Sequence, residues 1–235
     1  IKVINSCIST GTELTSLTSS KTSLIRRALK QPAQVKRVFN MARDQGVMST
    51  VSKVKEKLNL GSPVGYSLSG IVIGVGENIK DLRVGERVAA AGAGMANHAE
   101  YVDVPRNLVM RIPEGVDFPQ ASTVTLGGIA MQGVRRANVQ LGEFVAVIGT
   151  GILGQLAVQL LNAAGARVAA VDIDNHRLEI AKQNGAEITV NSVEEDPVQK
   201  ITHLTHGHGA DAVIFCAGTT DESVLSQAFA MTRKK

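Results

Sequence analysis

The sequence predicts an α/β protein in which a β-rich first part with a helical insert precedes a doubly wound parallel sheet. Three observations carry this. From Glu143 onward, short apolar runs alternate four times with longer amphipathic segments, the pattern of successive βα units. At the first junction Gly149, Gly151 and Gly154 form a G-x-G-x-x-G run. Residues 62–113 instead hold short alternating runs broken by glycines, such as "SGIVIGVGENIKDLRVGERVAAAG", the pattern of a small barrel or sandwich.

The elements follow in order. "IKVINSCI" alternates as a strand. "STGTELTSLTSSKTS" has ten hydroxyl residues in fifteen, a composition that favours caps and turns over helix interiors. "TSLIRRALK" reads as a helix ending before Pro32, and Pro32 suits the first turn of the next helix, where its missing N–H costs nothing. In that helix Val35, Val38, Phe39 and Ala42 share a face, and Gly46 can stop it. Thr50 can cap a third, "VSKVKEKLNLG". A Gly-punctuated β region and "HAEYVDVPRNLVMRIP" come next, then an Ala/Gly-rich helix, "PQASTVTLGGIAMQGVRRA". After it the strands "EFVAVIG", "ARVAAVD", "AEITV" and "ADAVIFCAG" alternate with helices. These readings divide the chain into domains of residues 1–120 and 121–235, with the insert at about 22–58.

Composition narrows the function classes. A chain of 235 residues can bury a substantial core, here an aliphatic one, since tryptophan is absent. No apolar run reaches the roughly 18 residues of a membrane span, and no leader-like segment opens the sequence. Cys7 and Cys216 belong to no paired-thiol motif, which predicts a reducing, cytoplasmic setting. The net charge of +4 is uneven: residues 21–58 carry ten Lys or Arg against Asp44 and Glu56. The basicity is local, so nucleic acid is not the expected partner. An anionic substrate, a sister subunit or a fused domain would suit that face, as would plain solvation.

The glycine run has the context its chemistry needs. It follows an apolar strand and opens a helix. Gly149 allows the tight turn, Gly151 lets backbone approach a pyrophosphate, and Gly154 lets helix pack on strand. The helix N-terminus, beginning with Ile152 and Leu153, then offers N–H groups to the phosphates. Asp172 ends the second strand, 21 residues after Gly151, near the offset of an acid that hydrogen-bonds both ribose hydroxyls. A carboxylate there repels a 2′-phosphate, so the expected cofactor is NAD(H) rather than NADP(H). Arg177, five residues on, either reaches the adenosine ribose or is solvated.

With "SGIVIGVGENIKDLRVGERVAA", "HAEYVDVPRNLVMRIPEGVD", "TLGGIAMQGV" and "EFVAVIGTGILGQLAVQLLNAAGARVAAVDID" in view, the chain resembles the medium-chain dehydrogenase/reductase superfamily over roughly residues 62–218. The resemblance implies a GroES-like catalytic domain and a Rossmann cofactor domain, each incomplete here. The last two sheet strands would follow "MTRKK". It implies an oxidoreductase acting on an alcohol or carbonyl, with Ala217 and Gly218 beside the nicotinamide ribose. It also implies a homo-oligomer or a fused second domain.

Zinc members of that family hold their metal with cysteine, histidine and glutamate. Alignment sets Ser9, Tyr66, Ser67 and Val124 at those positions, and "AGAGMAN" where a four-cysteine lobe would stand. Zinc takes thiolate, imidazole or carboxylate, so the expectation is no metal. "S-x-I-S-x-G-T-E", from Ser6 to Glu13, resembles a zinc-free branch containing bacteriochlorophyllide dehydrogenase and two-part oxidoreductases found with polysaccharide genes. Without zinc a fixed donor must stabilise the oxyanion. The expected catalytic group is Tyr66, with Ser9, Thr12 and Ser67 orienting substrate and Glu13 accepting a substrate hydroxyl; Tyr66 as a packing residue is the competing reading. His203, His206 and His208 have metal-like spacing but fall on a loop, and His98 reads as structural. A zinc-dependent alcohol or polyol dehydrogenase and a non-catalytic NAD-binding scaffold stand as alternatives.

Overall fold

The computed structural model describes residues 1–11, 13, 40, 43, 46, 63–219 and 221–234. Apart from residues 40, 43 and 46, the predicted helices at about 22–58 lie outside them, as does Thr12. The chain forms two compact units, Ile1–Ser122 and Thr123–Lys235.

The first unit holds an antiparallel sheet in the order β1 (Lys2–Ser6), β2 (Ser67–Ile71), β3 (Arg87–Ala91), β4 (Val109–Arg111). Alternation sorts its side chains. Leu68, Val88, Ala90 and Val109 enter a core with Val72, Leu82 and Ala96. Ser67 and Ser69 are also fully buried. Their hydroxyls donate to the carbonyls of Ser122 and Phe118, both at 2.6 Å, and so fasten the short helix α1 (Phe118–Ala121) to the sheet. Arg87 stacks over the Phe118 ring, 4.8 Å from its centroid, and donates to the Val116 carbonyl.

Two expectations differ in detail. "HAEYV" supplies one isolated bridge, Lys2 with Tyr101, rather than a strand. The helix predicted from "PQASTVTLGGIAMQGVRRA" is broken between α1 and α2 (Val124–Ala137). At the break the Ser122 hydroxyl bonds back to the Pro119 carbonyl, and the Ser122 carbonyl is taken by Ser67.

The second unit is a parallel sheet in the order β7 (Ile188–Asn191), β6 (Arg167–Asp172), β5 (Phe144–Ile148), β8 (Ala212–Phe215). The helices are α3 (Ile152–Ala163), α4 (Asn175–Gln183), α5 (Pro197–Leu204) and α6 (Glu222–Ala230). Helices cover both faces, as the apolar strands require. Val145 and Val147 face a cluster with Ala157, Val158 and Leu161 of α3 and Leu178 of α4. Ala146 and Ile148 face the opposite cluster with Ile201 of α5 and Ala228 of α6. Asp174, Asp196 and Asp221 cap α4, α5 and α6 with their carboxylates.

The strand order reverses between β5 and β8, and the glycine run leaves β5 at that point. Gly149 has φ +85°, and a Cβ there would lie 2.6 Å from the backbone N and Cα of Ala217. At Gly151 a Cβ would meet nothing within 4 Å. Gly149→Ala should therefore destabilise the intact protein by roughly 3 kcal/mol, from strain plus overlap, while Gly151→Ala leaves stability nearly unchanged. Urea midpoints of the two variants check this contrast.

Candidate functional site

In the second unit a glycine loop leads from β5 into α3. The extended backbone of Gly151 is the N-cap of α3 and has no side chain to cap it. The first-turn N–H groups of α3, those of Ile152 and Leu153 among them, thus stand at an open helix start. A side chain on Gly154 would overlap the Gly149 carbonyl oxygen, so helix and loop pack directly.

Asp172 fixes this loop. It is buried, at 8% exposure. Its Oδ2 accepts from the Thr150 N–H at 2.6 Å and from the Thr150 hydroxyl at 3.0 Å. Its Oδ1 accepts from the N–H groups of Ile173 at 2.8 Å and Asp174 at 3.1 Å. A carboxylate offers about four acceptor positions, so this one is committed to the two loop ends beside the glycine run. Arg177 is exposed, its Nε 3.5 Å from Asp174 Oδ2. Ala217 backs Gly149, and Gly218 is exposed just beyond it. Cys216, whose backbone N–H donates to the Ile148 carbonyl, packs into the α3-side core, and burial raises its thiol pKa.

In the first unit, the end of β1 and the segment after β3 come together. His98 Nε2 lies 3.1 Å from Glu13 Oε1, and His98 Nδ1 lies 2.9 Å from the Ser6 hydroxyl. Glu13 is 9% exposed and also accepts from the Ser9 N–H at 3.2 Å, while its own N–H donates to the Ser9 carbonyl. The His98 N–H donates to the Val64 carbonyl at 2.8 Å. Gly65, with φ +98°, makes room: a Cβ there would sit 2.6 Å from His98 N. Burial, and then the charge of Glu13, raises the pKa of the Cys7 thiol.

Among the aligned positions, Ser9 is buried beside Glu13, Tyr66 is half-buried with its carbonyl accepting from the Gly92 N–H, and Ser67 is spent on Ser122. Val124 begins α2, in the other unit. Among the described residues, no three or more of His, Cys, Asp and Glu gather as metal ligands. His203 lies in the last turn of α5 rather than on the expected loop, and His206 occupies a left-handed turn at φ +53°. Sequence reasoning passed over the His98–Glu13 pair. The only signal was the small turn "VGY", whose glycine admits the His98 backbone.

Comparison with known proteins follows this geometry. Residues 153–235 match the zinc-binding dehydrogenase family. The chain is 36% identical over 160 residues to D-guloside 3-dehydrogenase of Shigella flexneri, covering 67% of this chain and 45% of the relative. It is 37% identical over 194 residues to L-threonine 3-dehydrogenase of Bacillus subtilis (strain 168), covering 71% and 55%. Among solved structures, an alcohol dehydrogenase from Thermus sp. ATN1 superposes with a TM-score of 0.66 at 27% identity, over 74% of this chain and 59% of that one. The chain spans about half the length of the curated relatives it matches. With an antiparallel-sheet unit, a doubly wound unit and a glycine run at the strand-order reversal, it belongs to the medium-chain dehydrogenase/reductase superfamily, that of the zinc-binding dehydrogenases.

Proposed function

We propose that the protein is a zinc-independent, NAD(H)-dependent oxidoreductase that interconverts an alcohol and a carbonyl, with a sugar-derived hydroxyl as the substrate class. The observation that carries this reading is the glycine loop with Asp172 locked against it. The relatives named above support the reaction class, and the guloside relative supports the substrate class.

Gly149, Gly151, Ile152, Leu153 and Gly154 would hold the pyrophosphate through backbone N–H groups, in space a Gly151 side chain would fill. Asp172 would face the adenosine ribose, with Arg177 at the rim and Ala217 and Gly218 along the nicotinamide ribose. When bound, the nicotinamide gives or takes the hydride. Tyr66 would donate its phenol to the substrate oxygen. Ser9 and Ser67 would act as buried supports, and Glu13, held by the Ser9 N–H and His98, would accept a substrate hydroxyl. Zinc does not fit the donors at hand. Ser9, Tyr66 and Ser67 offer neutral hydroxyls and Val124 offers no donor at all. The family match to zinc-binding dehydrogenases favours the opposite reading, which metal analysis decides. Cytoplasmic residence and assembly with a second copy or a fused domain complete the proposal; among the described residues no helix is long and apolar enough to cross a membrane.

NADH should bind the intact protein at least about tenfold more tightly than NADPH, a difference of about 1.4 kcal/mol, because a fixed carboxylate opposes a 2′-phosphate. Titration of both cofactors checks it, and equal or tighter NADPH binding contradicts it. Gly151→Ala should weaken NADH binding at least about tenfold, since a methyl group enters the pyrophosphate's path, without the stability loss of Gly149→Ala. Elemental analysis of untagged protein should find far less than one zinc per chain, and turnover should survive chelation. In the same assay Tyr66→Phe should lower kcat about 10²-fold; an unchanged kcat returns Tyr66 to packing.

A further inference from the structure

We propose that Gln155 is a positioning residue of the dinucleotide site: it holds the Thr150 carbonyl so that the next backbone N–H, that of Gly151, is turned toward the cofactor pyrophosphate. This role rests on the cofactor reading above and deepens it. Gln155 directly follows the glycine run, near the start of α3. Its Nε2 donates to the Thr150 carbonyl at 3.0 Å and to the Arg177 carbonyl at 2.8 Å. Its Oε1 accepts from Asn184 Nδ2 at 3.0 Å.

These partners leave the Gln155 amide one orientation. Carbonyl oxygens only accept, so its NH₂ group faces Thr150 and Arg177 and its oxygen faces Asn184. Asn184 must then present its own NH₂ group. Asn184 is fixed in turn as the C-cap of α4, where its backbone N–H donates to the Ile180 carbonyl at 3.0 Å. One side chain of α3 therefore meets the first turn of α4, the residue just past the end of α4, and the glycine loop.

Peptide geometry carries the effect to Gly151. The Thr150–Gly151 peptide is trans and planar, so its C=O and N–H point to opposite sides. Holding the carbonyl on Gln155 thus turns the Gly151 N–H away from Gln155. Asp172 holds the preceding peptide by accepting the Thr150 N–H at 2.6 Å. That bond alone leaves rotation about the Thr150 Cα–C bond undetermined, and the Gln155 bond removes the freedom. Gly151 has most need of such a hold. Glycine populates more backbone conformations than any other residue, and a Cβ at Gly151 would meet nothing within 4 Å, so no packing confines it. A donor already aimed binds an anion without first being ordered.

The test uses the intact protein with NADH as the probe. Wild-type protein that fails to bind NADH refutes the cofactor reading, and the positioning role with it. When NADH binds, the Gly151 amide proton should shift downfield in ¹H–¹⁵N spectra as it meets the pyrophosphate. Gln155→Met keeps the length of the side chain and removes its donors. It should weaken NADH binding about tenfold or more and, at saturating NADH, reduce the Gly151 shift by about half or more. A residue that served stability alone would leave that shift at its wild-type size. Asn184→Asp puts an acceptor where Gln155 needs a donor, and should weaken NADH binding about threefold or more by turning the Gln155 amide. The double variant should bind NADH no more weakly than Gln155→Met alone, since Asn184 acts through Gln155. If Gln155→Met does not fold, Asn184→Asp decides, and its Gly151 shift should also fall. NADH binding that leaves Gly151 unshifted in the wild type, a wild-type affinity or Gly151 shift in either single variant, or additive losses in the double variant overturns the positioning role. Only the absence of NADH binding refutes the cofactor reading.

Discussion

The carboxylate of Asp172 ties the second unit's functional end together. It joins the turn after β5 to the turn after β6 through Thr150, Ile173 and Asp174. A buried carboxylate is costly unless its acceptor positions are filled. Here backbone N–H groups and one hydroxyl fill them, and the same bonds hold the two loops to one another. Gly149 turns at the same spot against Ala217, which ties β8 into the arrangement. The position where the strand order reverses thus becomes a fixed set of backbone donors with a negative charge at its side.

That arrangement also underlies the cofactor preference proposed above. The side chain proposed to face the adenosine ribose is the one that holds the loop. In that proposal, discrimination against a 2′-phosphate would not depend on a side chain finding its position upon binding. The first unit follows a similar rule on a smaller scale, with Glu13 clasped by Ser9 before it orients His98. In both places a backbone segment fixes an acid, and the acid then fixes the group next to it.

Much of the second unit was legible in the sequence. Apolar strands such as "FVAVI" and "RVAAVD" are short, continuous and buried on both faces, and aspartates mark the starts of three helices. Asp172 could be picked out by its spacing from Gly151, but its bonds to Thr150 could not, because spacing says nothing about which donors a carboxylate satisfies. The break at Ser122 was hidden for a related reason. Helical composition continues through it, and only the tertiary bond from Ser67 takes the Ser122 carbonyl. His98 was the least legible. Its partners lie 85 and 92 residues away, and a lone histidine after a glycine turn carries no periodic or motif signal.

The central claim is that the Asp172-locked glycine loop is a dinucleotide site. Hydrogen–deuterium exchange of the intact protein, with and without saturating NADH, tests it most directly. The account predicts slower exchange on NADH binding at the amides of residues 151–155 and 173–174, with the amides of β7 unaffected. NADH binding that leaves those amides unchanged, or that protects a different surface, would contradict it.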